Sequence, residues 1–225
     1  MITSTGSSQV KRVIQLQKKS KIRKENRQFV VEGVKMVCEA PFDRIEKVYM
    51  SERFATDNED FVKKLGMSDD KVETVADNVF AQGVMAVINM KEYSVDDIIK
   101  AGSDRKPLII AIENLQDPGN LGTIVRMAEG AGVTGIVISS NAVDIYNPKT
   151  IRSTMGSIYR VPFVYAADFI GAIELMKKNG TLDLAERRKN QLFRKMMVLN
   201  TARVQAIEPE LTSGGNQGYV EVLYS

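Results

Sequence analysis

The sequence predicts an α/β protein of two domains. Short apolar runs alternate with amphipathic helical stretches twice over, and one stretch rich in Gly, Ser, Asp and Pro, 101–107, interrupts the alternation. No apolar run approaches the roughly 20 residues of a membrane span, so no membrane association is expected. A chain of 225 residues holds one large or two small domains. The break at 101–107 divides it into a first domain, 1–100, and a second, 107–225.

The first domain opens with residues 8–24, where Val10, Val13, Ile14 and Leu16 fall at helical spacing among basic residues. "QFVVEG" (28–33) reads as a short strand ending in a turn at Gly33. "VKMVCEA" (34–40) reads as a helix stopped by Pro41, with Cys38 a buried filler in its apolar pattern. Next come a strand "IEKVYM" (45–50), a helix "NEDFVKKLG" closed by Gly66, and a strand "KVETV" (71–75). A short helix "ADNVFAQG" (76–83), a strand "VMAVINM" (84–90) and a helical stretch at 94–101 complete the series. This alternation predicts a small unit with a largely parallel sheet. The second domain restarts it. "PLIIAIE" is a buried strand, "NLGTIVRMAEGAG" a helix, and "GIVIS" a strand. "NPKTIRSTMGS" is a helix, "YRVPFVY" a strand, and "DFIGAIELMKKNG" a helix with Lys177 and Lys178 in its last turn and Gly180 as its stop. That is a doubly wound arrangement. From about Leu182 the periodicity fails, leaving a candidate basic helix at 182–200 and a short final strand.

Composition narrows the chemistry. The chain has no histidine and one cysteine, which excludes a histidine base, a Ser-His-Asp triad and an internal disulfide, and makes no metal site expected. Any reaction falls to Asp, Glu, Lys, Arg, Tyr, Asn, Ser or a bound cofactor. The N-terminus lacks an apolar signal core, which predicts a cytoplasmic protein. The net charge of +3 is unevenly placed. Residues 1–27 carry Lys11, Arg12, Lys18, Lys19, Lys21, Arg23, Lys24 and Arg27 against Glu25 alone, a net +7 that leaves −4 to the rest. Such a segment suits a polyanionic partner, and a solvated helix face explains it equally well.

The stretch "ENLQDPGNLGTIVRMAEGAG" (113–132) resembles a nucleotide-binding turn but fits neither common phosphate loop. No Gly-Lys pair exists for a P-loop, and Gly130, Gly132 and Gly135 close the helix instead of opening it, as a dinucleotide fingerprint requires. On its own terms, Asp117 suits an N-cap and Pro118 the first helical position. Leu121, Ile124, Val125 and Ala128 form the inward face. Gly119, Gly122 and Arg126 share another, and two glycines beside an arginine suggest close approach by a backbone or a ligand. Asn120 falls in the first turn, near the strand edge where open α/β sheets bind ligands. The alternative is close helix packing with Arg126 as a surface salt-bridge partner.

From Asn114 through "DPGNLGTIVRMAEGAG", with Asn120 six residues before Arg126, the chain resembles the first signature motif of the SpoU/TrmH family of RNA 2′-O-ribose methyltransferases. "YNPKTIRSTMGSIYRVPF" (146–163) resembles the segment that follows it, and the opening residues with "AQGVMAVI" (81–88) are similar to the family's substrate-binding domain. The resemblance covers about residues 1–181. It implies a ribosomal-protein-like RNA-binding domain followed by a SPOUT domain with a C-terminal knot. It also implies S-adenosylmethionine as methyl donor, a 2′-hydroxyl of structured ribosomal or transfer RNA as acceptor, and a homodimer. By motif position, Arg126 is the catalytic arginine and Asn120 its partner. Arg152, in the second segment, is a candidate phosphate contact or a structural ion-pair member. Lys11, Arg12, Lys18, Lys19 and Arg23 are candidate RNA contacts. Two-domain members of the family lean towards ribosomal RNA.

The family's cofactor loops, a Gly-x-Glu-x-x-Gly turn after an apolar strand and a proline-led segment ending in Ser-Leu-Asn, are not found after residue 181; "GGNQG" (214–218) echoes the first faintly. Residues 182–225 are atypical, as a frameshift or truncation would leave them. No cofactor-binding residue is assigned. An incomplete knot and weak cofactor binding are expected, and the alternative function is an RNA-binding remnant that no longer transfers methyl groups.

Overall fold

The computed structural model describes residues 7–77, 82–101, 108–178 and 219–224. In chain order the helices are α1 Ser8–Lys18, α2 Ser20–Asn26, α3 Val34–Cys38, α4 Glu52–Asp57, α5 Glu59–Leu65, α6 Val95–Lys100, α7 Pro118–Gly130, α8 Pro148–Thr154 and α9 Phe169–Lys178. The strands are β1 Gln28–Glu32, β2 Ile45–Ser51, β3 Val72–Val75, β4 Val84–Asn89, β5 Leu108–Glu113, β6 Gly135–Ser139, β7 Phe163–Ala166 and β8 Tyr219–Tyr224. The linker at 102–107, residues 78–81 of the short helix expected at 76–83, the stop at Gly180 and the readings over 182–218, with the knot that depends on them, lie outside the described residues.

Contacts group residues 1–91 and 144–159 into one compact unit, and 92–143 and 160–225 into another. The chain therefore passes between units three times. Expected domain boundaries and observed grouping differ at two places. Residues 92–100 pack in the second unit, because Ile98 of α6 is fully buried with Ile109, Val137 and Met176. Residues 144–159 pack in the first.

The first unit carries a four-stranded sheet in the order β1-β4-β2-β3. β2 and β3 pair parallel, but β4 runs antiparallel between β1 and β2, so the sheet is mixed where a largely parallel one was expected. The reason is the short link from Val75 to Val84. A parallel crossover needs a dozen or more residues, usually a helix, and so few can only bring the chain back reversed. One sheet face, with Val30, Tyr49, Val75, Met85 and Val87, is covered by Val13 and Leu16 of α1. On the other face Phe29 of β1 stacks at 4.7 Å from Tyr146, in the inserted segment 144–159, and the Tyr159 hydroxyl donates to the Met36 carbonyl at 2.9 Å. That segment packs along β1, an edge strand whose unpaired backbone is a liability if left bare. Cys38, expected to be buried, is exposed: α3 is five residues long, and its inward positions are Met36 and Val37. Helix α5 closes as expected, on Gly66 in the left-handed conformation (φ 55°).

The second unit has the sheet order β7-β6-β5-β8, with the first three strands parallel and β8 antiparallel to β5 at the edge. Ile109, Ala111, Val137 and Ala166 form one face, covered by Ile98 of α6 and Ala172, Ile173 and Met176 of α9. Residues of opposite parity, Ile110, Ile112, Ile136 and Ile138, are buried as well. This is the all-apolar strand pattern of a sheet with helices on both sides. Gly135 has a specific reason to be glycine. A Cβ there would stand 2.6 Å from Ile98 Cγ2, so its absence lets α6 lie against β6.

Candidate active site

The site is built where β5 and β6 end. Both strands run in the same direction, so their C-terminal ends meet at one rim, the place where open α/β sheets take ligands. Asn114 follows β5 with φ 52°, a left-handed conformation that asparagine tolerates better than most residues and that turns the chain sharply off the sheet. Its N–H donates to Ser139 Oγ at the end of β6 (2.9 Å). The Gln116 amide donates to the carbonyls of Asn114 and Asn141, each at 3.0 Å, and the Val143 N–H donates to the Leu115 carbonyl at 2.8 Å. The two strand ends are thus braced to one another by side chains and backbone.

Helix α7 starts from this rim as the sequence predicts. Asp117 is its N-cap, with Oδ1 accepting the Asn120 N–H at 2.7 Å, and Pro118 occupies the first turn. Leu121, Gly122, Ile124, Val125 and Ala128 face inward. Gly122, expected beside Arg126 on another face, belongs to this buried stripe.

Asn120 and Arg126 are both exposed. Six residues along a helix separate them by about 9 Å of rise and about 120° of rotation. They share a helix but not a face, and no hydrogen bond joins them, so Asn120 does not orient the arginine directly. Neither side chain has a hydrogen-bond or ion-pair partner among the described residues. For Arg126 this has a visible cause. Glu129, three residues on and at pairing distance along a helix, is held by Arg160, whose Nε and Nη2 both donate to its carboxylate.

The basic candidates all fall in the first unit. Lys11, Lys18 and Lys19 are exposed on α1 and at the α1–α2 junction. Arg12 is exposed too, but its Nη2 donates to Gln28 Oε1 (2.7 Å), and Gln28 in turn donates to Asn89. Arg23 departs from the expectation. It is 3% exposed, and its guanidinium donates to Asp144 Oδ2 and to the carbonyls of Leu16 and Gln17. It cannot reach RNA from there. Arg152 lies exposed on α8, which is capped by Asn147 and led by Pro148, and it makes no ion pair among the described residues. Sequence reasoning missed the rim braces of Asn114 and Gln116 and the hub at Asp144. An asparagine directly after an apolar strand was the readable signal for the first.

Residues 107–206 match a family model described as SpoU rRNA Methylase family, and residues 7–86 match an MRM3-like substrate binding domain. The first match runs past residue 181, where the motif resemblance ends. The chain is 32% identical over 167 residues to the 23S rRNA (guanosine(2553)-2′-O)-methyltransferase RlmP of Bacillus subtilis, covering 72% of this chain and 64% of that protein. It is 27% identical over 177 residues to the mitochondrial rRNA methyltransferase 3 of Xenopus tropicalis, covering 73% of this chain and 41% of that one. The chain thus spans about two fifths of the length of such mitochondrial relatives. Among solved structures, the AdoMet-bound rRNA methyltransferase from Sinorhizobium meliloti superposes with a TM-score of 0.61 at 27% identity, over 78% of this chain and 68% of that one.

Proposed function

The chain belongs to the SpoU/TrmH family, and from that premise we propose that it is an S-adenosylmethionine-dependent RNA 2′-O-ribose methyltransferase acting on ribosomal RNA. The observation that carries the reading is Arg126: an exposed guanidinium, without a partner among the described residues, on the helix that rises from the β5–β6 rim. A guanidinium is a donor and a poor base. Its fork suits a phosphate or the 2′-oxygen of a bound ribose, where it stabilises developing negative charge. Asn120, in the first turn of the same helix, offers a carboxamide without a partner among the described residues, which can both donate to and accept from ribose hydroxyls. S-adenosylmethionine, when bound, supplies an electrophilic methyl group. The rim fits such a polar ligand because the carboxamides of Asn114 and Asn120 find no protein partner there among the described residues. Lys11, Lys18, Lys19 and Arg152 add phosphate contacts that carry affinity but no sequence information. A homodimer is part of the same proposal, and sedimentation velocity tests it.

The decisive experiment incubates the chain with methyl-tritiated S-adenosylmethionine and ribosomal RNA, then digests the RNA to nucleosides. Label in a 2′-O-methylnucleoside is expected. Label on a base refutes the ribose assignment. RNA binding without transfer favours the remnant, the reading suggested by the missing loop motifs after residue 181.

A further inference from the structure

Asp144 is a hub. Its Oδ2 accepts from Ser20 Oγ (2.8 Å), Arg23 Nε (3.1 Å) and Arg23 Nη2 (2.6 Å). Its Oδ1 accepts the Tyr146 N–H at 3.0 Å, and its own carbonyl accepts from the Asn147 N–H at 2.9 Å and Thr150 Oγ1 at 3.4 Å. Arg23 completes the arrangement from the other side. Its Nη1 donates to the carbonyls of Leu16 and Gln17, in the last turn of α1, which have no partner within the helix. The cation also sits where the α1 dipole is negative. One ion pair, its side chains 4% and 16% exposed, therefore ties the end of α1, the body of α2 and the start of the segment that carries α8.

The exposed surface of that segment holds Lys149 and Arg152, while α1 and α2 present Lys11, Lys18, Lys19, Lys21 and Lys24. We propose that Arg23 and Asp144 are positioning residues for RNA: their buried ion pair fixes Arg152 relative to the lysines of α1 and α2, so that a single rigid surface meets the RNA phosphates. This rests on the RNA methyltransferase reading. Arg152 comes from the middle of the methyltransferase match and the lysines from the start of the chain; packing on β1 holds the segment to the sheet, and the internal pair ties it to the ends of α1 and α2 that carry the lysines. Neither Arg23 nor Asp144 touches RNA.

The test is a double-mutant cycle on the full chain, read by fluorescence anisotropy of a labelled ribosomal RNA transcript over a salt series. Arg152→Ala is expected to reduce the salt slope by about one. In Asp144→Asn, the slope is expected to be lower already, and adding Arg152→Ala should change it no further. Amide exchange over 145–155 is expected to quicken in Asp144→Asn while β1 stays protected. Equal, additive losses from Arg152→Ala in both backgrounds overturn the proposal, as does unchanged exchange. Should Asp144→Asn fail to unfold cooperatively, Arg23→Lys keeps the charge, loses the fork and must give the same coupling. A wild-type chain that binds no RNA overturns the functional reading and the RNA role assigned here. Failure of the clamp itself is told apart by the exchange measurement, which needs no RNA.

Discussion

Arg126 separates a chemical role from a structural one. Its side chain is exposed, has no partner among the described residues and lies in the middle of α7, with the inward face made by other residues. Replacing it by alanine removes no buried contact and puts the best helix former in its place, so folding stability should move by no more than about 0.5 kcal/mol. At 225 residues that is a shift in melting temperature of about 1–2 °C. The rate should behave otherwise. Loss of one preorganised donor at a developing oxyanion costs about 10²–10³ in turnover, or about 2.7–4 kcal/mol. Arg126→Lys keeps the charge without the fork and should fall between. Single-turnover methyl transfer at saturating RNA, paired with thermal melts of the same preparations, reads both quantities. Transfer by Arg126→Ala within about threefold of wild type would refute the catalytic assignment. A melting temperature lowered by about 6 °C or more would refute the claim that the side chain is structurally free.

Three further outcomes test the packing and the electrostatics. Gly135→Ala should cost about 1–3 kcal/mol, since its Cβ would meet Ile98 Cγ2 at 2.6 Å, and should cost almost nothing once Ile98 is alanine; urea melts that show the same penalty in both backgrounds would mean that α6 does not lie there. Asp117→Ala should lose about 1 kcal/mol with the cap on the Asn120 N–H, and Asp117→Asn should retain most of it, as measured by chemical denaturation. Burial raises the Tyr49 phenol above its ordinary value, with Glu73 and Glu46 adding to the shift and Arg12 opposing it. The folded state then keeps a proton that the unfolded chain releases. Stability is whole below the unfolded value of about 10 and declines as pH climbs from there towards the folded one, so Tyr49→Phe should flatten the alkaline limb of melting temperature against pH.

Much of this fold is written locally. Helix α7 is legible because Asp117, Pro118 and the spacing of Leu121, Ile124, Val125 and Ala128 all state the same thing within twelve residues. Strands β5 and β6 are short all-apolar runs whose burial on both faces follows from that pattern. What was not legible depends on distant partners. Helix α4 has no buried residue and so no apolar stripe to announce it. The antiparallel β4 enters between two strands that precede it, and no local signal marks strand order. Arg23 read as one base among eight because its carboxylate lies 121 residues away. A hint was present all the same: Val13, Leu16, Ser20 and Arg23 step by three and four in the sequence, a helical spacing that runs on across the break at Lys19. A charged residue at such a spacing asks for a buried partner.

Arg126 shows the opposite limit. From sequence alone, a glutamate at i+3 is reason to expect an ion pair, and a salt-bridged surface arginine is a complete account of the residue. The structure gives Glu129 to Arg160, which enters after α8 and just ahead of β7, and so removes the ground for that particular ion pair. Exposed pairs of this kind contribute little to stability, about 0–1 kcal/mol. Here the consequence is larger than the energy. By engaging the one carboxylate that its helix sets within reach on the next turn, the Glu129–Arg160 pair leaves the Arg126 guanidinium, in the middle of α7, with its donors unclaimed among the described residues, and a cation so placed is one that an anionic substrate can take.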